Sequence, residues 1–135
     1  MNATTRPPAR VLIVDDAMLI RRYVADILEP LGATCTFAED GAAALLRARS
    51  GGIDLIILDL AMPIMNGWEL LAELRANPLT AAIPVVVITA HGQSGTATQV
   101  GALGADGYLE KPFRRDQLVE LVAPFIDTTQ PRAAG

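Results

Sequence analysis

Acidic, hydroxyl and amino side chains stand directly behind short apolar runs in this chain. Asp15 and Asp16 follow residues 11–14, Asp59 follows 53–58, Thr89 follows 85–88, and Glu110 and Lys111 follow 107–109. If these runs are parallel strands of one open sheet, their carboxyl ends meet along the edge where such sheets bind ligands. Three carboxylates, a hydroxyl and an ammonium from distant parts of the chain then converge. Crowded carboxylates repel one another and raise each other's pKa unless a cation joins them, and hard oxygen ligands in an open site suit Mg2+. A divalent-metal pocket built on Asp15, Asp16 and Asp59 is the chemistry these residue types imply.

The elements that must position them are legible from hydrophobic periodicity. Short apolar runs alternate with segments of helical period from residue 10 to residue 126, the pattern of a parallel α/β sheet. The strands expected are 11–14, 33–37, 53–58, 85–88 and 107–109. The first, third and fourth are continuously apolar, as strands covered on both faces are, whereas Ala33, Cys35 and Phe37 alternate with Thr34 and Thr36. The second strand is therefore expected at an edge. In the first helix Ile20, Val24, Ile27, Leu28 and Leu31 share one face, and Gly32 closes it. Asp40 and Asn66 read as N-caps, Glu69 completing a capping box with Asn66. Leu118, Leu121, Val122 and Phe125 form the packing stripe of a fifth helix beginning near Arg114. The segment expected to form the fourth helix contains Gly92, Gly95, Gly101 and Gly104. Each costs up to about 1 kcal/mol relative to alanine inside a helix, so this helix is expected to be the least stable.

Bulk properties bound the function. With 135 residues, 51% of them apolar, the chain fits one ordinary domain. No apolar run approaches the roughly 18 to 20 residues of a membrane span. Residues 1–9 are polar and lack a secretory apolar core, and Cys35 is the single cysteine, so no intramolecular disulfide is possible; a cytoplasmic location is expected. Cys35 reads as a small buried hydrophobe. A net charge of −4 without a basic cluster argues against direct nucleic-acid binding. The expected organisation is a flexible segment over 1–9, one domain over 10–126 and a polar tail over 127–135.

Singly, each residue also has a structural reading. Asp16 equally suits a cap of the first helix, Thr89 a strand, Tyr108 an edge, Lys111 the solvent, and Asn66-Gly67 a turn. Trp68 and Phe113 read as packing groups, Arg114 and Arg115 as a solvated helix start, and the lone histidine, His91, as an exposed loop residue outside the core site. Asp59 is harder to dismiss, because a charge closing a buried run is costly without a cation or dense hydrogen bonding.

Taken together and in order, Asp15-Asp16, Asp59-Leu60-Ala61-Met62-Pro63-Ile64-Met65-Asn66-Gly67, Thr89-Ala90 and Lys111-Pro112-Phe113 resemble the response-regulator receiver family of two-component signalling over about 10–126. That resemblance implies a flavodoxin-like, doubly wound, five-stranded parallel sheet of order 2-1-3-4-5 with five helices. It implies Asp59 as the phosphoacceptor, with Thr89 and Lys111 assisting. Mg2+ would be held by Asp16, Asp59 and the Ala61 backbone carbonyl, with Asp15 acting through water or completing the acidic pocket. Thr89 and Tyr108 would form the switch. A histidine kinase or phosphotransfer protein would supply the phosphoryl group, and a downstream protein would bind the face of the fourth helix, fifth strand and fifth helix. It implies influence on phosphoryl lifetime at Ala61 and His91, and a cis Lys111-Pro112 peptide in many members.

Three other readings compete. The chain could be the receiver half of a longer regulator. A Mg2+-dependent aspartyl-nucleophile phosphatase usually places a second acid two residues after the nucleophile, where this chain has Ala61. A nucleotide or flavin binder needs a glycine-rich phosphate loop after the first strand, where Asp15-Asp16 would repel an anion.

Overall fold

The structure, a computed structural model, describes residues 7–90 and 94–126. Its elements run β1 (Arg10–Val14), α1 (Met18–Leu28), β2 (Thr34–Ala38), α2 (Gly41–Arg49), β3 (Leu55–Leu58), α3 (Gly67–Ala76), β4 (Val85–Thr89), α4 (Thr96–Ala102), β5 (Gly107–Glu110) and α5 (Arg115–Ile126). The strands form one parallel sheet of order β2-β1-β3-β4-β5, with β2 at an edge as its alternating pattern requires.

Side chains of the central strands point alternately to two cores. Val11, Ile13, Leu55, Ile57, Val86 and Ile88 pack beneath α1 and α5, with Val24, Ile27, Leu28, Leu118 and Val122. Leu12, Val14, Ile56, Leu58, Val85 and Val87 pack on the opposite face against Ala44 and Ala48 of α2, Leu70, Leu71 and Leu74 of α3, and Val100 of α4. Complete burial of each such aliphatic side chain contributes about 1.5 to 3 kcal/mol, which is why a continuously apolar strand belongs between two helical layers.

Local signals set most boundaries. Asp40 Oδ1 accepts from Ala43 N at 2.8 Å to start α2. Asn66 and Glu69 form the expected reciprocal capping box at α3. Two expectations need correction. Helix α1 ends at Leu28 and a 3-10 turn spans Glu29–Leu31 before Gly32 at φ 97°; the tighter winding turns Leu31 away from the core, leaving it 37% exposed. Cys35 is half-buried, because edge strand β2 has only one flanking strand to shield it; burial and then Glu29 push its thiol pKa up to about 11.

Helix α4 spans seven residues, the shortest α-helix among the described residues. Of its glycines only Gly101 is helical; Gly95, at φ 90°, precedes it and Gly104, at φ 102°, follows it. His91, Gly92 and residues 127–135 lie outside the described residues. So do residues 1–6.

An unanticipated polar clamp joins α3 to the start of β4 and the α4–β5 turn. Arg75 donates to Gly104 O at 2.8 and 3.0 Å, Ile83 O at 2.8 Å, Ala81 O at 3.1 Å and Asp106 Oδ2 at 3.2 Å. Asp106 Oδ2 also accepts from Val85 N at 2.8 Å. Arg75→Met keeps the aliphatic stem and strips these acceptors of their donor. We expect it to lower stability by about 2 to 3 kcal/mol, read as a shifted urea midpoint with unchanged slope.

Candidate functional site

Parallel register fixes where the site's backbone lies. Val14 pairs with Leu58, so the next residues along the two strands, Asp15 and Asp59, leave the sheet side by side. Asp59 N donates to Val14 O at 2.9 Å and Asp15 N to Ala38 O at 3.2 Å. Two strands away, Lys111 N donates to Thr89 O at 2.9 Å and carries the lysine back over the same edge.

Carboxylate oxygens of Asp15, Asp16 and Asp59 all lie within 4.8 Å of one another. Asp15 and Asp59 are buried at 3% and 6% exposure, whereas Asp16 is exposed. The Lys111 ammonium sits 2.7 Å from Asp15 Oδ2 and 3.5 Å from Asp59 Oδ2. Asp15 is further held by Ala17 N, which donates to Oδ1 at 2.9 Å. Among the described residues Asp59 Oδ1 accepts a single, long bond, 3.4 Å, from Ala61 N.

Charge balance at Asp59 follows from these neighbours. Burial raises its pKa above the usual carboxylate range, Lys111 pulls it down, Asp15 raises it, and the Ala61 amide lowers it; the net direction is up. Two adjoining buried acids therefore share one ammonium, an arrangement short of positive charge. Three converging oxygen donors with one open, solvent-facing side fit a small divalent cation by donor chemistry and charge.

The loop after Asp59 is folded back tightly. Gly67 N donates to Leu60 O at 2.9 Å, and a Cβ at Gly67 would fall 2.6 Å from Leu60 Cα and against the Asp59 carbonyl, so only glycine lets α3 begin so close beneath the acid. Ile64, exposed and at φ 68°, turns this loop outward.

Asp15, Asp16, Asp59 and Lys111 are thus brought into one cluster. Thr89 closes β4 fully buried, one strand over from Asp59. Ala61 lies exposed at the rim. Tyr108 is not in the cluster: it is half-buried on edge strand β5, its hydroxyl donating to Glu110 Oε2 at 3.3 Å. Burial and then the Glu110 carboxylate raise its phenol pKa. Asp16 does not cap α1, whose N-cap is Ala17. Phe113 packs with Tyr23 at 5.5 Å between ring centroids, Trp68 packs on the α3 side, and Arg114 and Arg115 are exposed. The Lys111-Pro112 peptide is cis.

Residues that escaped the sequence reading are Arg21, whose guanidinium donates to Asp15 O at 2.7 Å, and the Arg75–Asp106 pair. Gly67 was visible as the residue after a cap, but its close approach to Asp59 was not.

Residues 11–123 match the response regulator receiver domain family. The chain is 36% identical to the chemotaxis protein CheY of Pseudomonas aeruginosa over 119 residues, covering 87% of this chain and 96% of that protein. Its fold is similar to the receiver domain of a Pseudomonas aeruginosa sensor histidine kinase with magnesium ion coordinated in the active site cleft (TM-score 0.80, 27% identity, 89% and 98% of the two chains). It is also similar to a chain of the Borrelia burgdorferi CheX–CheY complex with beryllium fluoride and magnesium (TM-score 0.82, 27% identity, 87% and 88% of the two chains). Sheet order, acid cluster and these likenesses agree: the chain belongs to the response regulator receiver domain family, the phosphorylation-dependent regulators of two-component signal transduction.

Proposed function

We propose that Asp59 is the phosphoacceptor, that Asp15, Asp16, Asp59 and the Ala61 carbonyl hold Mg2+, and that Thr89, Lys111 and Tyr108 read the modification out. The observation that carries this is the convergence of three carboxylates within 4.8 Å around one ammonium on two buried acids. Mg2+ supplies, when bound, positive charge to the phosphoryl oxygens and keeps Asp59 ionised.

The chain's own groups do the rest. An Asp59 carboxylate oxygen attacks phosphorus; the new O–P bond gives an acyl phosphate, and the donor's P–N or P–O bond breaks with its electron pair leaving on the donor atom. Lys111 moves from its carboxylate partners to the incoming phosphoryl oxygens. Thr89 gives its hydroxyl to the same group once it arrives, and Tyr108 follows by packing inward. These contacts exist in one conformation only, so the covalent ligand shifts the population between two states.

The donor is a histidine kinase or phosphotransfer protein, and the output a protein contact on the α4–β5–α5 face; the Borrelia complex with CheX supports partner binding as a mode of action. The domain assists its own phosphorylation and dephosphorylation rather than turning over external substrates, and acts in the cytoplasm over residues 10–126. Among the described residues no helix is long and apolar enough to cross a membrane.

Incubation with acetyl phosphate, followed by intact mass, tests the reading. One phosphoryl addition that requires Mg2+, is blocked by chelator and maps to the Asp59 peptide is expected. Modification elsewhere, or equal modification without divalent metal, would overturn it.

A further inference from the structure

Asp15 is held at every polar atom: its N–H by Ala38 O, Oδ1 by Ala17 N, Oδ2 by Lys111 Nζ, and its carbonyl by the guanidinium of Arg21 at 2.7 Å. The last bond differs in its target: it is a charge-assisted contact from α1 to the peptide that joins Asp15 to Asp16, whereas Lys111 holds the carboxylate. Asp16 needs such support. It is exposed, it does not cap α1, and among the described residues no hydrogen bond or ion pair holds its carboxylate; the orientation of its backbone alone aims it at Asp15 and Asp59.

We propose that Arg21 is a positioning residue for the divalent-cation pocket: by anchoring the Asp15–Asp16 peptide it keeps the exposed Asp16 carboxylate converged with the two buried acids. This inference rests on the pocket reading given above. Among the described residues the Arg21 guanidinium bonds the Asp15 carbonyl and forms no ion pair with the three carboxylates.

Charge and position predict opposite results when Arg21 is removed. A guanidinium near the pocket acting only as a charge repels Mg2+, so its loss would tighten binding. A guanidinium that organises a ligand loosens binding when lost, and removal of a group that orients metal ligands typically costs about tenfold or more in metal affinity.

Calorimetric titration of Mg2+ into wild type, Arg21→Ala, Arg21→Lys and Arg22→Ala separates these. Arg22 is exposed on the same helix and lies over the Phe37 ring at 6.0 Å, so its removal makes the same charge change without touching Asp15. We expect about tenfold weaker Mg2+ binding in Arg21→Ala, substantial rescue in Arg21→Lys, and no weakening in Arg22→Ala. Equal or tighter binding by Arg21→Ala overturns the proposal, as does equal weakening by Arg22→Ala. If thermal melts show that Arg21→Ala does not fold, Arg21→Gln, too short to hold the same bond, decides by the same two outcomes. Failure of wild type to bind Mg2+ sinks the pocket reading as well, whereas wild-type binding with an indifferent Arg21 sinks this inference alone.

Discussion

Asp59→Asn is expected to abolish phosphoryl addition from acetyl phosphate while making the fold more stable at neutral pH. Loss of reactivity follows from the chemistry, since a carboxamide oxygen is a far weaker nucleophile than a carboxylate. The gain in stability follows from the site's electrostatics. Asp59 is 6% exposed and its pKa is raised, chiefly by burial. A raised folded-state pKa means that the folded protein binds the proton more tightly than the unfolded chain. Stability from Asp59 is therefore complete below the ordinary carboxylate pKa and is lost as pH rises through the folded value. At neutral pH the ionised acid costs stability that the neutral isostere avoids, and Lys111 keeps its shorter contact to Asp15. Melting curves of both proteins across pH check this. The mutant's advantage should shrink as pH falls, and saturating Mg2+ should stabilise wild type more than the mutant. A mutant less stable than wild type in chelator at neutral pH would contradict the charge balance assigned to the site.

Lys111→Met should produce the second large effect, in two parts. Its ammonium is the shared partner of two buried acids, with side-chain exposures of 15% for Lys111, 5% for Asp15 and 7% for Asp59. Removing one partner of such a buried set typically costs about 3 kcal/mol or more, because the remaining charges are left uncompensated. The deficit should diminish when Mg2+ is added or when pH is lowered, both of which neutralise the acids. Phosphoryl transfer should slow by about 10²- to 10³-fold, the usual cost of deleting one preorganised group that stabilises developing charge, even with Mg2+ saturating. Single-turnover rates at saturating Mg2+, beside urea titrations with and without it, measure the two parts separately. A normal rate in a destabilised protein would leave Lys111 a purely structural cation.

These effects trace back to particular residues whose placement was legible to different degrees. Continuous apolar runs ending in Asp15, Asp59 and Thr89 carried the strand positions and the edge at which the acids meet, because parallel strands must all point their carboxyl ends one way. The alternation of Ala33, Cys35 and Phe37 with Thr34 and Thr36 carried the edge position of β2. Caps at Asp40 and Asn66 were readable because they are satisfied within a few residues. Leu31 was not: its helical spacing was correct, but the chain tightens into a 3-10 turn over Glu29–Leu31, with Pro30 near its start and Gly32 at φ 97° ending it, and that winding rotates Leu31 outward.

By itself, then, the sequence determined the element order, the two-sided burial of the central strands and the set of residues that can do chemistry, since periodicity, capping and residue type are local properties. Tertiary structure alone decided how those residues share charge: that Lys111 bridges Asp15 and Asp59, that Asp16 is exposed and uncapping, that Gly67 lies against the Asp59 backbone, and that Arg21 and Arg75 serve carbonyls. Lys111 meets Asp15 across 96 positions of sequence, and Arg75 meets Gly104 across 29. Such contacts form only when strand register and helix packing bring their ends together, and burial, which sets the pKa of Asp59, exists only once both helical layers have closed on the sheet.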